Sequence, residues 1–165
     1  MRVFLVVLHL AVVLPGCTES GRTADLKTRL TGRWFPGSAE EDAHEIDGCF
    51  CGRCLNIQFD KTDDSLCVES NQISVSAYYE LDEANKRVAI YFKEPTDLGT
   101  GGALLPWDEF DRKKPIAMID ASGVDKNTLQ VKWLGFTKKA GSKEKQSYGD
   151  FGGDYAGVYH KRGNK

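Results

Sequence analysis

Four cysteines stand close together in the middle of the chain: Cys49, Cys51, Cys54 and Cys67. Three chemistries are open to such a group. Cys51-Gly52-Arg53-Cys54 has the C-x-x-C spacing of a redox pair. A reactive pair of that kind normally opens a helix, whose N-terminus lowers the first thiol's pKa. Here the following residues Leu55, Ile57 and Phe59 alternate with Asn56 and Gln58, which is a strand pattern. Zinc would need a second close pair of ligands. Cys67 has no cysteine neighbour and His44 is the nearest histidine, so no metal site is expected. The third chemistry is structural disulfides, and compartment decides it.

The first residues indicate the compartment. Arg2 supplies a positive start, Val3 to Leu14 is an apolar run interrupted only by His9, and Pro15-Gly16 follows. A dozen residues are too few to span a bilayer as a helix, which takes ~20. The segment therefore reads as an export signal that is removed. Leu14-Pro15-Gly16-Cys17 resembles the lipobox of bacterial lipoproteins. The resemblance implies cleavage before Cys17, a diacylglyceryl thioether on that cysteine and an acylated N-terminus, with palmitate among the chains. In a Gram-negative cell it also implies that Thr18, where aspartate would favour inner-membrane retention, directs the protein to the outer membrane, facing the periplasm. In that oxidising space the remaining four cysteines are an even set, and two disulfides are expected. Cys49 to Cys51 is disfavoured, because neighbours two apart in a strand are not placed to bridge. Cys54 or Cys51 reaching Cys67, with Cys49 taking the remainder, stays open.

Other chemistry is sparse. Glu40, Glu41, Asp42, His44, Glu45 and Asp47 form an acidic run, but lack the spaced ligands and central glycine of a calcium loop. Asp150-Phe151-Gly152-Gly153-Asp154 reads as a glycine turn before a strand. No Gly-x-Ser-x-Gly, His-Glu-x-x-His or P-loop occurs, and His44 and His160 are the histidines left after cleavage. No enzyme, cofactor or metal is expected. Lys and Arg number 22 against 24 Asp and Glu. Only Arg2 leaves with the signal, so the processed chain has 21 against 24. That balance argues against nucleic acid, which calls for a basic face.

These residues need a frame. Removal of 16 of the 165 residues leaves 149, one domain's worth. Residues 17–28 read as the lipidated cysteine and a flexible tether, with a short amphipathic turn near Leu26 to Leu30, and residues 29–165 as a single domain. Arg33 to Phe35, Leu55 to Phe59, Leu66 to Glu69, Ile73 to Leu81, Val88 to Phe92, Ile116 to Asp120, Leu129 to Trp133 and Tyr155 to Lys161 read as strands, several with strict alternation. Adjacent short strands predict an all-β fold: a small antiparallel up-and-down barrel, or alternatively a two-sheet sandwich. Glu94 to Lys114 reads as a long irregular loop carrying Gly99, Gly101, Gly102, Leu104, Leu105, Pro106 and Trp107. Loops this long are often functional. Trp107, with Leu104 and Leu105, is the candidate binding surface; the competing reading folds Trp107 down to plug the barrel end.

Gly32-Arg33-Trp34 resembles the Gly-x-Trp opening of lipocalins and related calycins. The resemblance implies a Trp that closes one barrel end, with a basic residue from Tyr159-His160-Lys161-Arg162 packed on it. It further implies a hydrophobic ligand or a protein as partner. Two functions are therefore expected to compete. One is a membrane-anchored envelope binding protein that holds an apolar ligand or partner. The other is an inhibitor or immunity protein that blocks a lytic enzyme or toxin.

Overall fold

A computed structural model of the protein describes residues 26–37, 54–60, 64–69, 73–99, 102–142 and 155–161. Among these residues eight strands form: β1 (Gly32–Pro36), β2 (Leu55–Ile57), β3 (Asp64–Glu69), β4 (Ile73–Asp82), β5 (Arg87–Asp97), β6 (Pro115–Asp120), β7 (Thr128–Trp133) and β8 (Gly157–Lys161). They make one antiparallel sheet in the order β2-β1-β8-β7-β6-β5-β4-β3. First and last strands in the chain pair through Trp34 opposite Lys161, which bends the meander round on itself. The result is a nearly closed up-and-down barrel, as the strand pattern predicts. The seam lies between β2 and β3, the two ends of the sheet. The Tyr79 hydroxyl crosses it, donating to the Asn56 carbonyl at 3.0 Å.

Alternation explains the core. Val75, Ala77 and Tyr79 on β4, Val88, Ile90 and Phe92 on β5, Leu129 and Val131 on β7, and Tyr159 on β8 are all buried and belong to one apolar cluster. Each large side chain taken out of water contributes roughly 1.5–3 kcal/mol before entropy is counted. The facing positions, such as Glu80, Arg87, Gln130 and Lys132, are exposed. A one-residue slip in any strand would exchange these sets.

Antiparallel succession puts alternate connections at opposite ends. The β1–β2, β3–β4, β5–β6 and β7–β8 connections all leave one end, called here the loop end. The other end carries the short β4–β5 hairpin, the β6–β7 turn and residues 26–30, which are helical.

Two boundaries differ from the sequence reading. Residues 26–28 belong with the domain rather than the tether: Leu26 packs on the core and Lys27 pairs with Asp60 at 3.0 Å. The stretch Glu94 to Lys114 is not irregular from its start, because β5 runs on through Pro95 to Asp97. Beyond Tyr91 this strand has β4 as its registered neighbour but no longer β6. A proline, which has no N–H to give, is tolerated in a strand where one side is unpaired. Among the described residues no helix is long and apolar enough to cross a membrane.

Candidate functional site

The closed end is built around Trp34. Its ring is fully buried, and its indole N–H donates to the Leu30 carbonyl at 2.8 Å. The Lys161 ammonium lies 5.3 Å from the ring centroid. It also donates to the carbonyls of Arg29 at 2.5 Å and Thr31 at 2.9 Å. The last carbonyls of a helical turn lack partners within it, and a lysine supplies them here. Burial pushes the Lys161 ammonium below the ordinary lysine pKa, and the Arg29 charge adds to the shift. Gly32 holds φ +119° where the chain turns from helix to strand, a conformation that L side chains rarely adopt. The basic residue expected from the last strand is thus Lys161, and Trp34 closes this end. An Arg29–Asp125 ion pair ties the helical turn to the β6–β7 connection.

Among the described residues at the loop end, Trp107 packs among three other aromatic rings. Phe92 comes from β5, Trp107 and Phe110 from the β5–β6 connection, and Phe136 from the chain after β7. Phe92 and Phe136 meet edge to face at 5.2 Å, Trp107 and Phe110 at 5.7 Å, and Phe110 lies 5.1 Å from Phe136. Such aromatic pairs are worth about 0.5–1.5 kcal/mol each beyond the area they bury. Trp107 is half-buried and packs against the core. It therefore adopts the folded-down arrangement at the barrel end.

The backbone there is pinned. Trp107 opens a 3-10 turn, Trp107–Glu109, and its indole N–H donates to the Gly102 carbonyl at 2.7 Å. Gly102 sits in a first 3-10 turn, Gly102–Leu104, and donates its own N–H to Leu98 at 2.9 Å. A Cβ on Gly102 would come within 3.2 Å of Ile73, so this turn lies close against β4. The next turn is clamped to the chain after β7. Phe110 forms an isolated bridge with Lys138, and the Asp111 N–H donates to Thr137 at 2.7 Å. The Glu109 carboxylate accepts from Ser142 at 2.5 Å and pairs with Lys138 at 3.1 Å. Those two contacts, the Ser142 bond first, hold its pKa below the usual glutamate value.

The three candidate binding residues separate. Trp107 and Leu105 pack inward on the core, whereas Leu104 is 90% exposed. Sequence reasoning missed Phe110 and Phe136, which together hold Trp107 down. Their signal, an aromatic on either side of a lysine-bearing loop, becomes legible only when the two loops are known to touch.

Cys54 is buried at the head of β2 and Cys67 is half-buried in β3; both are disulfide-bonded. Cys54 leads directly into a strand. Cys17, Cys49, Cys51, the acidic run around His44 and residues 150–154 lie outside the described residues. Among the described residues no group of three or more His, Cys, Asp or Glu is arranged to hold a metal ion. A polar depression of about 190 Å³ lies on the outer wall, lined by Asp120, Ser122, Thr128, Gln130 and Val158 among others. It is smaller than the ~300–1,000 Å³ of typical small-molecule sites.

Comparison of the chain with protein-family models, with curated proteins and with solved structures finds no match in any of the three.

Proposed function

We propose that this chain is a lipid-anchored binding protein of a bacterial envelope, and that its loop end engages a partner protein. The export signal and the Leu14-Pro15-Gly16-Cys17 motif support the anchor, with acyl chains on Cys17 holding the domain at a membrane, the outer one facing the periplasm. Two or more chains give firm attachment where one gives only marginal binding. The observation that carries the partner reading is the division of labour at the loop end. Trp107 lies over Phe92, Phe110 and Phe136, and Leu104 stands outside it.

Small apolar ligands are the competing occupant, since four connections around a barrel mouth suit a lipocalin-like carrier. Access past Trp107 would require breaking its ring contacts and its bond to Gly102. A protein partner needs no such opening. An inhibitor or immunity protein acting on a lytic enzyme or toxin is the form of this reading that an anchored domain with a folded-down loop end fits best. Cys49, Cys51, Cys54 and Cys67 form its disulfide framework.

Two measurements test the proposal. Palmitate labelling of the wild type should disappear in Cys17→Ser; unchanged labelling would remove the anchor. Titration with the apolar fluorophore N-phenyl-1-naphthylamine should give no saturable enhancement with the wild type. A saturable one-to-one signal would return the ligand-carrier reading.

A further inference from the structure

Among the described residues the sheet ends at β2 on one side and at β3 on the other, and no backbone ladder joins the two. β2 is three residues long and is registered with β1 through Gly32–Ile57, Arg33–Asn56 and Trp34–Leu55. β3 is registered with β4, and its register shifts between Cys67 and Glu69. A bulge of this kind interrupts the ladder and bends the strand. Core lies directly behind both strands: Leu55, Ile57, Leu66 and Val68 are all buried. Parting the strands would put those side chains in water, so the seam needs a fastening of its own.

The seam is fastened differently along its length. Toward the closed end the Tyr79 hydroxyl donates to the Asn56 carbonyl, and the Phe59 and Tyr79 rings meet edge to face at 6.3 Å. Toward the loop end stand Cys54, at the head of β2, and Cys67, in the second half of β3, and each is disulfide-bonded. The place of Cys67 in the chain decides what its bond joins. It is the last cysteine of the sequence. Cys49 and Cys51 precede β2 and Cys54 heads it, so the chain ties all three to the β2 side of the seam. Cys17 carries lipid in the reading above, on which this one exclusion rests. A bond from Cys67 to any of the three crosses from β3 to the β2 side, where a ladder would otherwise run.

We propose that the Cys67 disulfide is a redox latch on this seam. Oxidised, it holds β2 and β3 together at the loop end. Reduced, it lets them part there and exposes the apolar residues behind them. The reductant is a dithiol: it passes two electrons and two protons to the bond, becomes a disulfide itself, and leaves two cysteine thiols. The test uses the full-length acylated protein isolated from the envelope without reductant. Trypsin cuts after Arg53, Lys61 and Lys86, which parts the peptide of Cys49 and Cys51 from that of Cys54 and that of Cys67. The Cys67 peptide should be joined to one of the other two, in a protein that runs as a single chain on a non-reducing gel. Hydrogen exchange then compares the wild type, the wild type in dithiothreitol, and a double variant that combines Cys67→Ser with serine at the mapped partner. In both altered forms exchange over residues 55–57 and 65–68 should quicken more than about tenfold, while β6 and β7 keep their protection. A free Cys67 thiol, a bond to Cys17 or a bond to a second chain would overturn the latch. So would unchanged exchange at the seam in either form, or loss of protection throughout the barrel, the sign of a bond that supports the whole fold. Palmitate labelling reports on the anchor separately: its absence beside a Cys67 bond across the seam would fail the anchor and leave the latch standing.

Discussion

Each end of this barrel is closed by a tryptophan, and the two are secured differently. Trp34 is fully buried, and the lysine over it comes from the far end of the chain, with Lys161 bonded to Arg29 132 residues away. Trp107 is half-buried, and its hydrogen-bond partner Gly102 is five residues away. Its hold on the rest of the molecule comes from rings and from the clamp between Phe110 and Lys138. The first arrangement ties the two ends of the chain and so helps to close the sheet. The second ties one loop onto a sheet that is already formed. Damage to the first should therefore spread through the fold, and damage to the second should stay at the loop end.

The largest effect is expected from Trp34→Ala. Truncating a fully buried tryptophan costs about 3–5 kcal/mol, a large share of the stability of a domain this size. Urea denaturation should show a midpoint far below that of the wild type, and a near-normal midpoint would break the comparison at its stronger side. Trp107→Ala comes next. Lost ring contacts and one lost hydrogen bond should cost about 1–3 kcal/mol. Hydrogen exchange should quicken over residues 102–112 and 136–142 while β7 and β8 keep their protection.

A smaller effect is expected at the clamp. The pKa of Glu109 is lowered in the folded state from the ordinary 4.5, by Ser142 and then by Lys138. A depressed carboxylate adds stability that is present above its unfolded pKa and lost as the pH falls through its folded pKa. Glu109→Gln should therefore melt slightly below the wild type at pH 7, and the gap should vanish on acidification below 4.5. A gap that persists in acid would mean that the carboxylate charge is not what holds the two loops together.

The difference between the ends also explains what could be read from the chain. The strands of the walls were legible because alternation reports burial directly: Ile73 to Leu81 and Val88 to Phe92 lie in β4 and β5. The closed end was legible because a short motif carries it, with Trp34 at one end of the domain and a basic residue at the other. The extension of β5 through Pro95 was not, since proline argues against a strand until it is known that the strand has lost one neighbour. Trp107 could be read either as a contact or as a plug. Its burial depends on Phe92, Phe110 and Phe136, and nothing local in Pro106-Trp107-Asp108 reveals that they converge. The exposure of Leu104 beside the inward Leu105 is a matter of turn geometry, and two adjacent leucines look alike in sequence.

The central claim is that the loop end divides its work, with Trp107 buried for stability and Leu104 left out for contact. Equilibrium urea denaturation of Leu104→Asp beside Trp107→Ala tests it most directly. The account predicts that Leu104→Asp leaves stability within about 0.5 kcal/mol of the wild type, as for a surface position, while Trp107→Ala lowers it by about 1–3 kcal/mol. Loss of more than about 1 kcal/mol in Leu104→Asp, the sign of a buried contact, or no loss in Trp107→Ala, would contradict it.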